Sequence, residues 1–289
     1  MSFSLFVAQV LTGLTFGMLY FLIAVGLSII LGVMNIVNLA HGSLFVLAAY
    51  VAYSFISRDF NFWIALIFSF IIAALLGAVM ERFLLRRAYG QPLSQALLTF
   101  GLAFVMADVM KWIWGTTLYR IPTPHPFNFS IDLGDVSFPV YRLFIVFVGL
   151  IIALILWYVE RKTRIGAIIR AGVDDREMVS ALGINVGLVF TGVFVFGAVI
   201  AALGGVLGAP VLGTYPGLDF SVLVTSLIVV VIGGLGSWTG SFVAAILVGL
   251  IETIGNIWFP ALSMFLIFLI MILVLMIKPS GLFGRGEIL

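Results

Sequence analysis

Charged residues are scarce in this chain of 289 residues, and that scarcity decides its class. Asp, Glu, Lys and Arg together make up only 9% of the sequence, whereas hydrophobic residues make up 63%. Soluble domains carry about 25% charged residues. The mean hydropathy of +1.30 therefore describes an integral membrane protein with hardly any soluble part.

Cysteine is absent and histidine is nearly so, which excludes several kinds of site. Without cysteine there is no disulfide and no thiolate metal centre. Neither His41 nor His125 has a second histidine or a carboxylate at the spacing of zinc ligands. A GxxxxGK[ST] phosphate loop is also missing, so this motif supplies no ATP site. We expect no metal, no cofactor and no nucleic-acid partner.

Long apolar runs fill most of the chain. A membrane-spanning helix needs about 20 apolar residues, and the N-terminus lacks the basic region of a signal peptide. We therefore predict an all-α, polytopic membrane protein with eight or nine spans, forming one transmembrane domain over residues 1–289. Short or broken helices are expected within 221–258. The predicted spans lie near 5–31, 36–56, 62–80, 93–114, 140–160, 187–209, 221–236, 238–258 and 261–278.

The basic residues are distributed unequally between the two sides that these spans define. One side carries ten of them: Arg82, Arg86, Arg87, Arg161, Lys162, Arg164, Arg170, Arg176, Lys278 and Arg285. The other side carries four: Arg58, Lys111, Arg120 and Arg142. Because cytoplasmic loops are enriched in Lys and Arg, we predict a periplasmic N-terminus and a cytoplasmic C-terminus.

Two hydrophilic segments interrupt the spans. The segment 115–139 holds four of the nine prolines and is predicted to be an extended, turn-rich periplasmic loop. The segment 161–186 is predicted to be a cytoplasmic loop. In it, Asp174 and Glu177 have the spacing of a capping box, and Gly183 is positioned to end the helix. This predicts a short amphipathic helix that either lies on lipid headgroups or fits a groove in a cytoplasmic partner.

A few polar residues lie inside the predicted spans. Asn35, Asn38 and His41 recur every third residue and share one face if this stretch is helical. Gly42 follows, which permits close approach of another backbone. We interpret these four residues and Glu252 as candidates for a translocation path or gate, with helix packing as the alternative. In this interpretation, the face shared by Asn35, Asn38 and His41 lies just inside the cytoplasmic end of the second span. Asp108 and Lys111 are expected to pair with each other.

Several motifs together resemble a known family. The cytoplasmic helix, with Glu177 followed six residues later by Gly183, is similar to the coupling loop of ABC-importer permeases, although Met178 and Val179 replace the usual alanines. The whole chain resembles the branched-chain amino acid permease family, of the shorter LivH type. The motifs that carry this resemblance occur in the family's order and are GVMNIVNLAHGSLFVLAAY, RAGVDDREMVSALGIN, VVVIGGLGSWTGSFVAAILVGLIE and KPSGLFGR.

The resemblance implies a transport subunit of a bacterial inner-membrane ABC importer with no catalytic residues of its own. Its partners would be a second permease of the same family, two ATP-binding subunits and a periplasmic binding protein. The residues implied to couple the spans to the ATPase are Arg170, Asp174, Asp175, Glu177, Met178, Ala181, Leu182 and Gly183. Branched-chain amino acids are the implied substrate.

Other functions stay open at this point. Related permeases take urea, amides or aromatic acids. An ion-coupled secondary transporter would use Asp108 or Glu252 as its ion site and would leave the amphipathic inner helix without a partner. An intramembrane enzyme would need a clustered nucleophile and base, or two metal-binding acids, and the sequence offers neither.

Overall fold

The computed structural model describes residues 3–174 and 176–284. Within these residues the chain forms helices joined by short loops, with one small hairpin. The helices are α1 (Phe3–Met34), α2 (His41–Ile56), α3 (Phe62–Val79), α4 (Pro92–Trp114), α5 (Val140–Lys162), α6 (Arg164–Asp174), α7 (Arg176–Ala181), α8 (Val186–Leu212), α9 (Leu218–Gly233), α10 (Trp238–Trp258) and α11 (Ser263–Ile277). The hairpin strands are β1 (Ser130–Asp132) and β2 (Ser137–Pro139).

The spanning helices agree with the predicted class of an all-α membrane protein. In the described part of the chain, six helices are long and apolar enough to cross a bilayer, counting α3 together with its extension to Ala88. Three further apolar helices, α2, α9 and α11, are shorter. These nine elements correspond to the nine predicted spans. The predicted break within 221–258 is the loop between α9, which ends at Gly233, and α10, which begins at Trp238.

The long helix α1 is the centre of the structure. It packs against α10, α8, α5 and α9, and most of its second half is buried. Glycines let the backbones of α1 and α10 touch: a Cβ on Gly249 would lie 2.4 Å from the Gly17 nitrogen. Such close approach is typical of membrane helices, which gain stability from tight van der Waals packing because lipid provides no hydrophobic driving force between them.

The second span begins later than predicted. Residues 35–40 are not helical, and α2 starts at His41. The chain turns at Asn35, whose φ of 57° is the left-handed conformation that asparagine tolerates better than most residues. The prediction that Asn35, Asn38 and His41 share one helical face was therefore wrong, because a local turn replaces the first turn of the expected helix.

The end of α3 departs from regular helix. After Val79 the chain forms a π-helical segment over Met80–Leu84 and a 3₁₀ segment over Leu85–Ala88. This irregular stretch buries Glu81, whose carboxylate accepts hydrogen bonds from the hydroxyls of Tyr89 and Thr191. The segment therefore joins the inner end of α3 to the first turns of α8.

The outer loop contains more structure than the sequence predicted. Strands β1 and β2 pair antiparallel, with Ile131 opposite Phe138. Tyr119 forms an antiparallel bridge with Thr214, which ties the beginning of this loop to the loop before α9. The hairpin was missed because each strand has only three residues, which is too short for a clear alternating pattern.

The inner loop is helical already before the segment where the sequence predicted a helix: α6 precedes the helix expected from Asp174 to Gly183, and α7 lies within it. Thr163 begins α6, because its hydroxyl accepts a hydrogen bond from the Gly166 backbone amide at 3.2 Å. Helix α7 ends at Ala181, and Gly183, the predicted stop two residues later, has a φ of 82°. The Gly183 amide donates to the Ser180 carbonyl and the Ile184 amide donates to the Val179 carbonyl, which is the pattern of a Schellman motif.

Candidate functional site

The polar stretch after α1 folds back toward the middle of the helix bundle. The imidazole Nε2 of His41 donates a hydrogen bond to the carbonyl of Ile23 at 3.1 Å. Ile23 lies eleven residues before the end of α1, which is about 16 Å at 1.5 Å per residue. His41 is therefore well inside the span and not at its cytoplasmic end, which corrects the depth expected from the sequence.

The polar residues of the irregular segment between α1 and α2 have separate roles. Asn35 is exposed and makes the turn that ends α1. Asn38 is fully buried, and its side-chain oxygen accepts a hydrogen bond from the Ala40 amide at 3.1 Å. Thr99 of α4 accepts a hydrogen bond from the Leu39 amide at 3.1 Å. Irregular backbone at this depth is tolerated where protein covers it and satisfies its polar groups.

Two buried nitrogen atoms of this stretch have no hydrogen-bond partner within the described residues. They are Nδ2 of Asn38 and Nδ1 of His41, and both side chains are fully buried. A buried polar atom without a partner costs about 1–3 kcal/mol. These atoms therefore mark a polar region that packing alone does not satisfy.

Gly42 lies where α2 meets the start of α9. A Cβ at Gly42 would lie only 2.1 Å from the carbonyl oxygen of Asp219, so no larger residue fits without moving a helix. The next residue, Ser43, donates a hydrogen bond to the Asp219 carboxylate at 3.3 Å. The first turns of α2 and α9 are thus held in direct backbone contact.

Glu252 has a partner inside the subunit. Its carboxylate accepts a hydrogen bond from the hydroxyl of Tyr20 at 2.7 Å, which links α10 to α1. Asn256, one turn further along α10, is exposed. The structure therefore separates Glu252 from Asn38, His41 and Gly42, which lie on the other side of α1 with α2 and α9.

The predicted coupling residues lie on and around α7. Met178 is 59% exposed and Leu182 is 73% exposed, and Ala181 beside them is exposed as well. Val179, which is 3% exposed, points the other way into a small apolar cavity that Ile169 and Phe190 also line. Val179 thus packs toward the bundle, whereas Met178, Ala181 and Leu182 form an exposed apolar face.

Part of the predicted coupling set cannot be placed. Asp175 lies outside the described residues, and so do the side chains of Arg170, Asp174 and Glu177. The predicted capping box therefore stays a prediction. The pairing expected for Asp108 and Lys111 is confirmed, with 3.1 Å between the Lys111 Nζ and the carboxylate of Asp108.

Sequence reasoning missed two buried acids, Asp219 and Glu81. Asp219 follows Gly217 and begins an apolar run, which is the pattern of an acid in the first turn of a helix. Glu81 precedes Arg82 and resembles an ordinary loop charge in the sequence. Among residues 3–174 and 176–284, no three His, Cys, Asp or Glu side chains form a group that would hold a metal ion.

The fold thus defines a polytopic membrane protein with buried polar contacts inside its spans and a protruding apolar helix at one end. Comparison with known families identifies it further. Residues 9–275 match the model of the family described as branched-chain amino acid transport system, permease component. The chain belongs to this family, as its sequence motifs indicated.

Characterised relatives resemble the chain over nearly its whole length. The high-affinity branched-chain amino acid transport system permease protein BraD of Pseudomonas aeruginosa is 27% identical, with 98% of this chain and 97% of the relative covered. The corresponding permease protein LivH of Escherichia coli K12 is 28% identical, with 99% and 98% covered. No solved structure matches the chain.

Proposed function

We propose that this protein is the transmembrane permease subunit of an ABC importer that moves branched-chain amino acids inward across the bacterial inner membrane. The match to the permease family over residues 9–275 carries this proposal. The family fits an importer permease and not an ion-coupled transporter or a membrane enzyme. ATP hydrolysis belongs to separate partner subunits, and this chain provides the path.

The protein is a multi-pass membrane protein, and its orientation follows from the distribution of charge. The side rich in Lys and Arg includes the inner end of α5 and the start of α10. Glu160 of α5 accepts a hydrogen bond from Trp238 of α10, so these two ends lie together. Tyr119 and Thr214, which belong to the opposite side in the predicted topology, are bridged to each other. These contacts support the grouping of the helix ends into two sides, and the excess of Lys and Arg on one side supports a periplasmic N-terminus and a cytoplasmic C-terminus.

The partners are a second permease, two ATP-binding subunits and a periplasmic binding protein. The exposed apolar face formed by Met178, Ala181 and Leu182 is the surface on which an ATP-binding subunit would dock. The outer loop, with its hairpin and its bridge to Thr214, is the surface that would receive the binding protein. The predicted topology assigns the first surface to the cytoplasmic side and the second to the periplasmic side.

Asn38, His41 and Gly42 form the gate in this proposal. Nδ2 of Asn38 and Nδ1 of His41 have no hydrogen-bond partner in the described part of the chain, and Gly42 holds α2 directly against α9. A shift of α2 relative to α9 would change all three environments at once. Glu252 lies apart from them and, bonded to Tyr20, supports the contact between α1 and α10.

Replacement of His41 or Asn38 by alanine tests the gate. We expect uptake to fall at least about tenfold, because loss of a polar contact worth about 1.5 kcal/mol or more in the transport step slows that step about tenfold. The assembled importer should still hydrolyse ATP when the loaded binding protein is added. Uptake and ATPase activity are measured on the same preparation. Loss of assembly without a transport defect in the remaining complex would show that these residues only pack.

The substrate class is tested by competition. Uptake of radiolabelled leucine into vesicles that contain the importer and ATP is measured in the presence of unlabelled valine, isoleucine, phenylalanine, urea or small carboxylates. We expect valine and isoleucine to compete and urea not to compete. Stronger competition by urea or an aromatic acid would assign the protein to another substrate class within the same family.

A further inference from the structure

The carboxylate of Asp219 is buried in the membrane region. Asp219 lies in the first turn of α9 and is 9% exposed. Its side chain accepts one hydrogen bond, from Ser43, and no Lys, Arg or His among the described residues forms an ion pair with it. A charge inside the bilayer is costly and is found with a partner or at a functional site.

Two further buried hydroxyl groups, one on α2 and one in the loop before α9, lack hydrogen-bond partners within the described residues. Tyr50 lies seven residues after Ser43 on α2, two turns further out, and packs in one buried cluster with Leu218 and Val222, which lie on either side of Asp219 in α9. Its hydroxyl has no hydrogen-bond partner within the described residues, and the side chain is fully buried. The hydroxyl of Thr214, five residues before Asp219, also has no hydrogen-bond partner within the described residues, and this side chain is fully buried too.

Aromatic rings surround this group on its outer side. The ring of Tyr50 stacks on Trp114 with 5.0 Å between centroids and meets Tyr119 edge-on at 6.2 Å. Tyr53 packs against Tyr119 at 4.2 Å. The faces of such rings attract cations. A carboxylate, two hydroxyls and a cluster of rings together suit a primary ammonium group.

The group adjoins the outer loop. Thr214 is bridged to Tyr119 of the outer loop, directly above α9. Phe220, next to Asp219, is 63% exposed, so the start of α9 lies close to the surface of the subunit. Asp219 itself belongs to the contact of α2 with α9 that we assign to the gate, and Thr214 joins the loop before α9 to the outer loop.

A purely structural role explains only part of this arrangement. The amino end of α9 stabilises a negative charge in its first turn, and the bond from Ser43 fixes α2 to α9. Neither explains why the hydroxyl groups of Tyr50 and Thr214 are buried without a hydrogen-bond partner among residues 3–174 and 176–284. At a purely structural position, phenylalanine and valine would fit the same space without burying an unsatisfied hydroxyl.

We propose that Asp219, Tyr50 and Thr214 bind the ammonium group of the amino acid as it passes through the permease. Asp219 supplies the opposite charge, and the two hydroxyls accept hydrogen bonds from the ammonium protons. This inference rests on the proposed function, because it assumes that the substrate is an amino acid.

The test uses substitutions that remove only a hydroxyl group. In the complete importer, Tyr50→Phe and Thr214→Val are compared with Tyr53→Phe, which changes a neighbouring ring of the same cluster. We expect leucine uptake per ATP hydrolysed to fall about tenfold with Tyr50→Phe and to stay unchanged with Tyr53→Phe, because a hydrogen bond to a charged group is lost only in the first case. Asp219→Asn should reduce uptake further. Wild-type uptake with both Tyr50→Phe and Thr214→Val would refute the site.

A second measurement needs no variant and therefore does not depend on correct folding of a mutant. Binding of radiolabelled leucine to the purified wild-type importer is competed with 3-methylbutylamine, which lacks the carboxylate, and with 4-methylpentanoate, which lacks the ammonium group. We expect the amine to compete at least tenfold more strongly. Stronger competition by the carboxylate would overturn the site. A wild-type importer that transports no amino acid would instead overturn the proposed function.

Discussion

The double variant Met178→Asp, Leu182→Asp is expected to reduce ATP-driven uptake by at least tenfold while the permease itself stays folded. Both side chains are mainly exposed in the isolated subunit, at 59% and 73%. Surface substitutions of this kind change the free energy of unfolding by only about 0.5 kcal/mol. Against an ATP-binding subunit, however, the same positions would be covered, and burying an unpaired charge costs several kcal/mol.

The matched control is Ser180→Asp, which adds the same charge to the same helix. Ser180 is exposed and lies roughly opposite Met178 around α7. Its carbonyl, which receives the Gly183 amide, is unaffected by the substitution. Uptake, ATPase activity and co-purification of the ATP-binding subunit are measured for each variant. Normal uptake by the double variant would show that α7 is not the coupling contact.

The second large effect is expected from Gly205→Ala in α8. A Cβ at Gly205 would lie 2.0 Å from the carbonyl oxygen of Phe45 and 2.8 Å from its carbonyl carbon. Because these are backbone atoms of α2, no side-chain rotation relieves the clash and the two helices must separate. Overpacking of a well-packed interior costs about 1–3 kcal/mol and sometimes more, and we expect about 3 kcal/mol or more here.

Gly192→Ala is the control on the same helix. No heavy atom lies within 4 Å of the Cβ position at Gly192, and alanine favours helix over glycine by up to about 1 kcal/mol. The fraction of monodisperse protein after heating in detergent is measured for both variants. Gly205→Ala should lose this fraction at a markedly lower temperature than wild type, and Gly192→Ala should not. Equal stability of the two variants would contradict the packing of α2 on α8.

The apolar spans were predictable because their signal is long and uniform. A bilayer requires a run of about 20 apolar residues, and segments such as Val140–Lys162 satisfy it with little interruption. The end of α7 was predictable for a different reason: Gly183 provides the positive φ that a Schellman motif requires. These features depend on local sequence, so they could be read without a structure.

The stretch from Asn35 to His41 was not predictable in the same way. Its spacing of three residues fits a helical face, yet the backbone between Asn35 and Ala40 is irregular. What stabilises this irregular path is a set of distant partners, Thr99 on α4 and the Ile23 carbonyl on α1. Periodicity carries no information about such partners, so the depth of His41 could be obtained only from the packed bundle.

The burial of the acids Asp219 and Glu81 was not predictable from the sequence for a related reason. A single Asp beside a glycine turn predicts the start of a helix, which is what the structure shows at Gly217 and Leu218. The sequence does not indicate that α2 would cover this position and place Ser43 next to it. Contacts between helices far apart in the chain determine these environments.

The measurement that tests the central claim most directly is the energy requirement of transport. The purified chain is reconstituted in vesicles with its partner permease, the ATP-binding subunits and an amino-acid-loaded binding protein. We predict that leucine uptake requires ATP and the ATP-binding subunits, and that it continues when ion gradients are dissipated. Uptake by this chain alone, driven by a proton or sodium gradient without ATP, would contradict the account.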